Sequence, residues 1–339
     1  MEGRINRMPR LNDLPPPFFI LGSPRSGTTL LSRILDRHSR IAVYHESHYY
    51  PIFRSIRHLY GDLNHPSNLV RFVEDVREVT RVQGFMEPPS TQEIIDALDD
   101  ASFEAVLTAF LRLYARRLGK FRCGEKTPEH HRYLSEILEK FPATQVIFLL
   151  RDPRDTVLSI RKALGASLPG AVRMWRAAFD SYQRFSNRVH LVRYEELVGA
   201  PGKVCQELCA LLGEPFESEL LRYYESIPSS LAARPNFSKL LHHVDAASVG
   251  NFRQMSPRDI HWIEAACAEG MEALGYRFTA AKPKPLRLSA PSKLGLVVDR
   301  LRYYGLDRRR WRRGWMRWKI LLRLQMRRIF SFTPLSPNP

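Results

Sequence analysis

At 339 residues, with 44% hydrophobic and 26% charged residues, the chain has a globular composition and can bury a large core. No stretch approaches 18 uninterrupted apolar residues, and Met1–Asn12 has no apolar core of a signal peptide, so we expect neither a membrane-spanning helix nor a leader. Residues 282–339 contain sixteen Lys and Arg against two Asp and Glu, so fourteen of the seventeen net positive charges lie there. We therefore predict one domain at residues 1–281 and a basic extension at residues 282–339.

The first predicted element is a buried strand, the apolar run at residues 18–21. A turn rich in Gly, Ser and Pro follows it, and the apolar periodicity from Leu30 predicts a helix that begins near Gly27. A strand, a tight loop and a helix direct backbone N–H groups and the positive end of a helix dipole at an anion. Arg25 adds a positive charge. The loop also contributes three hydroxyl groups, those of Ser26, Thr28 and Thr29. The stretch predicts a phosphate-binding loop.

The spacing of Gly22 and Gly27 resembles the P-loop, Gly-x-x-x-x-Gly-Lys-Ser/Thr, of nucleotide kinases and nucleotidases. This chain has Thr28 and Thr29 in place of the lysine and the magnesium-binding hydroxyl, and its cation lies earlier, at Arg25. A loop without that lysine is poorly suited to hold a β/γ-phosphate with Mg²⁺. A P-loop kinase or nucleotidase is therefore an alternative that the residues disfavour.

Further along the chain, strands and helices alternate. A strand at 41–44 leads to the polar segment 45–48, and open α/β sheets place their chemistry at such strand ends. Helices predicted at 68–82 and 91–118 form an insertion that we expect to shape an acceptor pocket.

A second anion site is predicted after the apolar run 144–150, which is typical of a central parallel strand. The run ends at Arg151, and Asp152 can cap a helix whose first residue is Pro153. Helices are also predicted at 132–140, 170–185, 201–213 and 257–274, and a third buried strand at 188–193. The alternation predicts an α/β, P-loop-like three-layer fold with a mainly parallel sheet flanked by helices.

Three blocks across roughly residues 17–280 resemble sulfotransferases, which use 3′-phosphoadenosine 5′-phosphosulfate (PAPS). Pro-Arg-Ser-Gly-Thr-Thr at residues 24–29 is similar to their 5′-phosphosulfate loop. Arg151 and Ser159 are similar to their 3′-phosphate pair, and Tyr194 in Arg-Tyr-Glu-Glu-Leu is similar to the residue that lines the adenine pocket. The resemblance implies sulfuryl transfer from PAPS to a hydroxyl or amine by in-line displacement. It also implies release of adenosine 3′,5′-bisphosphate, without a metal ion.

Within that family, the chain most resembles tyrosylprotein sulfotransferases and their bacterial relatives, through the first loop and Leu-Asp-Arg-His at residues 35–38. Glu46 falls where those enzymes carry a glutamate base. Cytosolic small-molecule sulfotransferases use the histidine of Lys-Thr-His, but here the comparable triplet is Lys-Thr-Pro at 126–128. The resemblance therefore implies that Glu46 takes the acceptor proton, with Arg25 and Lys126 as the cations around the transferring group.

One block departs from the cytosolic enzymes, which place Arg-Lys-Gly shortly before Gly-Asp-Trp-Lys. This chain has Asp-Ala-Ala at 245–247 before Gly-Asn-Phe-Arg at 250–253. Arg253 can replace the lysine, but the other cations are missing. Binding of the 3′-phosphate is therefore expected to depend more heavily on Arg151 and Ser159.

The C-terminal extension is predicted to begin with a linker at 282–292 that contains three prolines, and to continue as a basic amphipathic helix at 308–330. One face of this helix carries Trp311, Trp315, Trp318, Leu322, Met326 and Ile329. The face can bind an anionic membrane surface, or it can dock on the body or on the second subunit of a homodimer. Nucleic acid is a less favoured partner. A protein that acts only through this tail is the remaining alternative to an enzyme.

The cellular location is predicted from the cysteines, which are Cys123, Cys205, Cys209 and Cys267. Their spacing fits no metal site and favours a reducing compartment. We expect a cytoplasmic protein, peripheral at a membrane if the tail binds lipid. The sequence does not identify the acceptor.

Overall fold

The computed structural model describes residues 10–83, 87–227, 241–286 and 308–330. Its centre is a five-stranded sheet with strand order β2-β3-β1-β4-β5, in which every pair of neighbours is parallel. The strands are β1 (Phe18–Gly22), β2 (Ile41–His45), β3 (Arg122–Lys126), β4 (Val146–Leu150) and β5 (His190–Arg193). The predicted α/β class with a parallel central sheet is confirmed.

Helices surround the sheet. In the described residues the α-helices are α1 (Thr28–Asp36), α2 (Tyr49–Phe53), α3 (Pro66–Gln83), α4 (Thr91–Asp96), α5 (Phe103–Arg117), α6 (Leu134–Lys140), α7 (Pro153–Leu164), α8 (Leu168–Arg184), α9 (Tyr194–Gly199), α10 (Pro201–Leu212), α11 (Pro257–Ala266), α12 (Ala268–Ala273) and α13 (Arg308–Phe330). Short 3₁₀ helices lie at Leu11–Asp13, Arg57–Tyr60, Pro128–Tyr133, Ser186–Arg188, Ser218–Ser226 and Asn251–Gln254. None of these described helices is both long enough and apolar enough to cross a membrane.

Two apolar clusters cover the two faces of the sheet, because side chains alternate along each strand. In β1, Phe18 and Ile20 contribute to one cluster, whereas Phe19 and Leu21 contribute to the other. The first cluster also contains buried residues of α1 and α10, and the second contains residues of the helices on the opposite face. The chain therefore forms three layers with the sheet in the middle.

Strand β3 is absent from the sequence prediction, although it lies between β2 and β1. Its sequence, Arg-Cys-Gly-Glu-Lys, lacks the apolar run that marks a buried parallel strand, yet all five residues are buried. Gly124 lies directly under the Phe18 ring, since a Cβ at this position would come within 2.3 Å of a ring atom. The guanidinium of Arg122 donates to the Pro16 carbonyl and to the Gln145 side chain. Polar partners therefore replace the usual apolar packing.

Other predicted boundaries differ from the structure for local reasons. The helix predicted at 91–118 is two helices, because Ser102 begins α5 by accepting a hydrogen bond from the backbone of Ala105. The helix predicted at 257–274 breaks at Cys267. The strand predicted as buried at 188–193 is shorter, and β5 is mostly half-buried because it is an edge strand.

Helix α13 has the predicted bounds, but docking of its tryptophan face on the body is wrong for the described side chains. The buried residues are Met316, Ile320 and Leu324, whereas Trp315 and Trp318 are exposed. Residues 287–307, which include most of the predicted linker, lie outside the described residues. The division of the chain at residue 282 stays a prediction.

Candidate active site

The carboxyl ends of all five strands meet at one edge of the sheet, and each is followed by, or ends in, a predicted site residue. These residues are Arg25–Thr29 after β1, Glu46 after β2, Lys126 as the last residue of β3, Arg151 after β4 and Tyr194 after β5. The chain continues from β1 to one side of the sheet and from β4 to the other, so this edge includes a topological switch point between β1 and β4. Open α/β folds bind ligands at such points.

The loop after β1 has the features of an anion site. Gly27 has φ +98°, and a Cβ there would lie 2.5 Å from the Tyr194 ring, so glycine is needed for conformation and for space. Helix α1 begins at Thr28, and no described side chain caps it, which leaves its first N–H groups available to an anion. The Ser26 Oγ is buried and has no hydrogen-bond partner among the described residues. A phosphate or phosphosulfate oxygen would satisfy these donors.

Arg25 and Ser159 connect two blocks that the sequence places far apart. Arg25 Nε donates to Ser159 Oγ across 3.3 Å. Ser159 lies on α7, the helix that Asp152 caps by accepting from the backbone N–H of Arg154, as predicted. The phosphate-binding loop and the second anion site are therefore adjacent.

Arg151 packs on the aromatic residue that follows β5. The centre of its guanidinium lies 4.4 Å from the centroid of the Tyr194 ring, a cation–π distance. The Arg151 guanidinium also lies 3.5 Å from the Asp155 carboxylate and donates to the Ser248 carbonyl. This arrangement brings the predicted 3′-phosphate and adenine residues together.

Asp155 fixes the loop that carries Arg253. Its carboxylate accepts hydrogen bonds of 2.7 Å from the backbone N–H groups of Gly250 and Phe252. Arg253 itself is exposed, and it folds over its own turn, with Nη1 3.5 Å from the Gly250 carbonyl oxygen. Its guanidinium also lies over the ring of Phe252 in the same turn. Within the described residues, Arg253 therefore contacts its own turn and does not reach the site around Arg151.

Lys126 contacts two other predicted site residues, so the ends of three strands meet at this side chain. Its Nζ donates to Glu46 Oε1 across 2.6 Å and to Thr29 Oγ1 across 3.1 Å. The Lys126 side chain is fully buried, whereas 26% of the Glu46 side chain is exposed. The carboxylate is therefore accessible from one side while its partner ammonium is enclosed.

This ion pair decides the charge state of Glu46. Burial raises the pKa of the Glu46 carboxyl, but the Lys126 ammonium and a hydrogen bond from His48 together bring it well below its usual value. The His48 Nε2 lies 3.3 Å from Glu46 Oε2. Burial lowers the pKa of Lys126, and Glu46 opposes that effect. Glu46 is consequently a carboxylate, able to accept a proton, at neutral pH.

Backbone strain is concentrated at the same place. Among the described residues, the non-glycine residues with φ in the left-handed region are Arg25 (68°), Glu46 (55°) and His48 (49°). Such conformations cost free energy and persist where the surrounding structure enforces them, often at functional sites. All three residues belong to this site, which supports a functional reason for the strain.

Glu125 holds the strained segment, and the sequence prediction misses it. Its Oε1 accepts from the Ser47 N–H at 3.0 Å and from the Ser47 hydroxyl at 2.8 Å, and also from the Thr127 hydroxyl. Its Oε2 lies 2.9 Å from His130 Nδ1. Since Glu125 is fully buried on a strand that the apolar pattern does not reveal, no periodicity signal could identify it.

Asp155 is missed as well, but its spacing from Arg151 offers a signal. Arg151 lies just before α7 and Asp155 in its first turn, and a separation of four residues is the one at which opposite charges along a helix meet. A search for charge pairs around the predicted arginine would have included this carboxylate.

Comparisons with known proteins agree with the family that the site residues resemble. The sulfotransferase family matches residues 16–218. An uncharacterized protein of Aquifex aeolicus is 27% identical over 62% of this chain and 27% of its own length. The protein-tyrosine sulfotransferase of Drosophila melanogaster is 25% identical over 77% of this chain and 52% of its own length. The chain thus spans about a quarter and about half of these relatives.

A similar fold occurs in a solved structure, the sulfotransferase domain of the olefin synthase from Synechococcus PCC 7002. The TM-score is 0.53 at 23% identity, and the similarity covers 78% of this chain and 96% of that domain. This similarity concerns the fold. It agrees with the parallel sheet described above.

Proposed function

Since this chain belongs to the sulfotransferase family, we propose that it transfers a sulfuryl group from PAPS to a hydroxyl or amine acceptor by in-line displacement. The observation that carries the proposal is the position of Lys126, held between Thr29 of the phosphate-binding loop and the Glu46 carboxylate. A cation in this place lies between the residues proposed to bind the donor and the residue proposed to receive the acceptor proton.

The residues present fit PAPS. In the described part of the chain, the buried Ser26 hydroxyl has no hydrogen-bond partner and α1 has no side-chain cap, so both suit a 5′-phosphosulfate. The Tyr194 ring, which packs against Gly27 and the Arg151 guanidinium, would line the adenine pocket. Arg151 and Ser159 would hold the 3′-phosphate, with Arg253 as an additional cation from the loop that Asp155 fixes. When bound, PAPS would supply an activated sulfuryl group with a good leaving group.

The catalytic roles follow from charge. Glu46, ionised and partly exposed, would take the proton of the attacking hydroxyl. Arg25 and Lys126 would stabilise the negative charge that develops on the leaving oxygen, which is electrostatic catalysis by groups already in position. A bound phosphosulfate would place negative charge beside Lys126 and offset its attraction for Glu46. The pKa of Glu46 would then rise towards its usual value, which would make the carboxylate a stronger base.

We also propose that the protein is located in a reducing, cytoplasmic compartment. It is supported by the cysteines, since Cys123, Cys205, Cys209 and Cys267 are all buried free thiols. Cell fractionation of the tagged chain tests it. Recovery of the protein from an oxidising compartment would contradict it.

The activity is tested with PAPS carrying a labelled sulfuryl group and a panel of phenols, saccharides, amines and tyrosine-containing peptides. We expect the wild type to label at least one acceptor class and Glu46→Gln to label it far more slowly. The same panel with ATP labelled at the γ-phosphate tests the kinase alternative. Transfer of phosphate rather than sulfate would overturn the proposal.

A further inference from the structure

Helix α13 has two apolar faces, and the body covers one of them. Met316, Ile320 and Leu324 are buried and join the apolar cluster of the body, where the helix packs on α3 and on the 3₁₀ helix Arg57–Tyr60. The other face remains open to solvent. Its described residues are Trp315, Trp318 and Leu322, which are 50%, 59% and 43% exposed.

Polar contacts fix the orientation of the helix, so the open face is set by the structure. Lys319 Nζ lies 3.0 Å from Glu78 Oε1, and the Arg323 guanidinium pairs with Asp75. These contacts lie on the side of the helix that meets α3. Docking therefore uses neither tryptophan, and both indole rings remain available to another partner.

The charge of the helix indicates the chemistry of that partner. Residues 308–330 contain ten Lys and Arg and no Asp or Glu. Indole rings bind well at the interface between lipid headgroups and acyl chains, and Lys and Arg beside them attract anionic headgroups. A second copy of this chain would present the same positive charge and be repelled. Nucleic acid would be attracted by the charge but gives no reason for the exposed Leu322.

We propose that the exposed face of α13, formed by Trp315, Trp318 and Leu322 on a helix whose sequence contains ten Lys and Arg, binds the surface of membranes that contain anionic lipids. The helix then lies in the plane of the interface while its opposite face holds the body. This inference is independent of the proposed sulfuryl transfer, because every proposed catalytic residue lies before residue 282.

The test is co-sedimentation of the full chain with phosphatidylcholine vesicles, with and without phosphatidylserine, at low and high salt. We expect binding only to the anionic vesicles, weakened by salt. A triple variant, Trp315→Ser with Trp318→Ser and Leu322→Ser, keeps every charge and should bind at least about tenfold more weakly, because it loses most of the apolar contact. The matched control is Phe216→Ser, which removes a different exposed apolar side chain and should bind as the wild type does.

Thermal unfolding and PAPS-dependent transfer verify that the triple variant is folded. If the triple variant fails to fold, the single variant Trp318→Ser takes its place in the binding assay. The blue shift of the wild-type tryptophan fluorescence on adding vesicles is then a second measure of binding. The proposal is overturned if the wild type does not bind anionic vesicles, or if the triple variant binds them as tightly as the wild type does. It is also overturned if the wild type binds only double-stranded DNA, or only itself in sedimentation equilibrium.

Discussion

The two sides of the candidate active site satisfy their polar groups in different ways. The nucleotide side consists of Arg25–Thr29, Arg151, Ser159 and Tyr194, which follow β1, β4 and β5. It leaves the Ser26 hydroxyl and the start of α1 without partners among the described residues. The transfer side consists of Glu46 and Lys126, whose charges satisfy each other across 2.6 Å. The nucleotide side therefore offers an anion donors that have no partner to give up among the described residues, whereas Glu46 and Lys126 must exchange a partner to act.

This difference separates binding from turnover. Changes on the nucleotide side should mainly alter affinity, because they remove contacts with a ligand. Changes on the transfer side remove one member of a buried pair, and they should mainly alter turnover while leaving the other charge without its partner. The predictions below test that separation, beginning with the largest expected effect.

Glu46→Gln should reduce turnover by about 10²–10⁴-fold, the usual contribution of a general base, and should leave the affinity for adenosine 3′,5′-bisphosphate nearly unchanged. Transfer kinetics with labelled PAPS and calorimetry measure the two quantities. Glu139→Gln, an exposed carboxylate, is the control. Unchanged turnover in Glu46→Gln would assign the base to another group.

Lys126→Ala should reduce turnover by about 10²–10³-fold, the effect of removing one preorganised group that stabilises developing charge. The Michaelis constant for the acceptor should change little, because the loss occurs in the transition state. Steady-state kinetics separate the two parameters, with Lys203→Ala, an exposed lysine on α10, as the control. A change confined to the Michaelis constant would make Lys126 a binding residue.

Arg151→Ala should weaken the binding of adenosine 3′,5′-bisphosphate by roughly 1.5–3 kcal/mol, the net value of a hydrogen bond to a charged group. AMP lacks the 3′-phosphate, so its affinity should fall much less. Calorimetry with both nucleotides checks this. An equal loss for both would show that Arg151 supports Tyr194 and the adenine pocket rather than the 3′-phosphate.

Glu125→Gln should reduce turnover by about tenfold, because the variant disturbs a buried network that positions the strained segment around Ser47. Nucleotide affinity should remain, since Glu125 lies on the transfer side. Crystal structures of both proteins would show whether φ at Glu46 and His48 has relaxed. A relaxed backbone with full turnover would mean that the strain is not needed.

The smallest expected effect is on the pH dependence of stability, which tests the ion pair between Glu46 and Lys126. Because the pKa of Glu46 is lower in the folded chain than its ordinary value, ionised Glu46 stabilises the folded state at neutral pH. That stabilisation is lost as the pH falls through the folded-state pKa, below the ordinary value of 4.5. The difference in unfolding free energy between wild type and Glu46→Gln, measured in denaturant titrations, should therefore shrink as the pH falls below 4.5. A constant difference would mean that Lys126 does not hold Glu46.

Local sequence signals predict much of this molecule. The start of α1 at Thr28 and the capping of α7 by Asp152 depend on residues close in sequence, and both are confirmed. The resemblance to sulfotransferases implies that Glu46 and Lys126 act at one site beside the phosphate-binding loop, and the structure brings both side chains together with Thr29 of that loop.

Tertiary partners decide what the sequence leaves open. Strand β3 is polar because Arg122 and Glu125 find buried partners on other segments, which no local pattern encodes. Helix α13 has two apolar faces, and the choice between them depends on Asp75 and Glu78 of α3, which pair with the helix. Both features require knowledge of distant contacts.

The central claim, a site built for a 3′-phosphorylated nucleotide, is tested most directly by calorimetric titration of the wild type. The ligands are adenosine 3′,5′-bisphosphate, AMP, and ATP with and without Mg²⁺. We expect the 3′,5′-bisphosphate to bind at least about tenfold more tightly than AMP, through charge-assisted contacts with Arg151 and Ser159, and Mg²⁺ to add nothing to the affinity for ATP. Tighter binding of ATP with Mg²⁺ would contradict it and favour a P-loop kinase or nucleotidase.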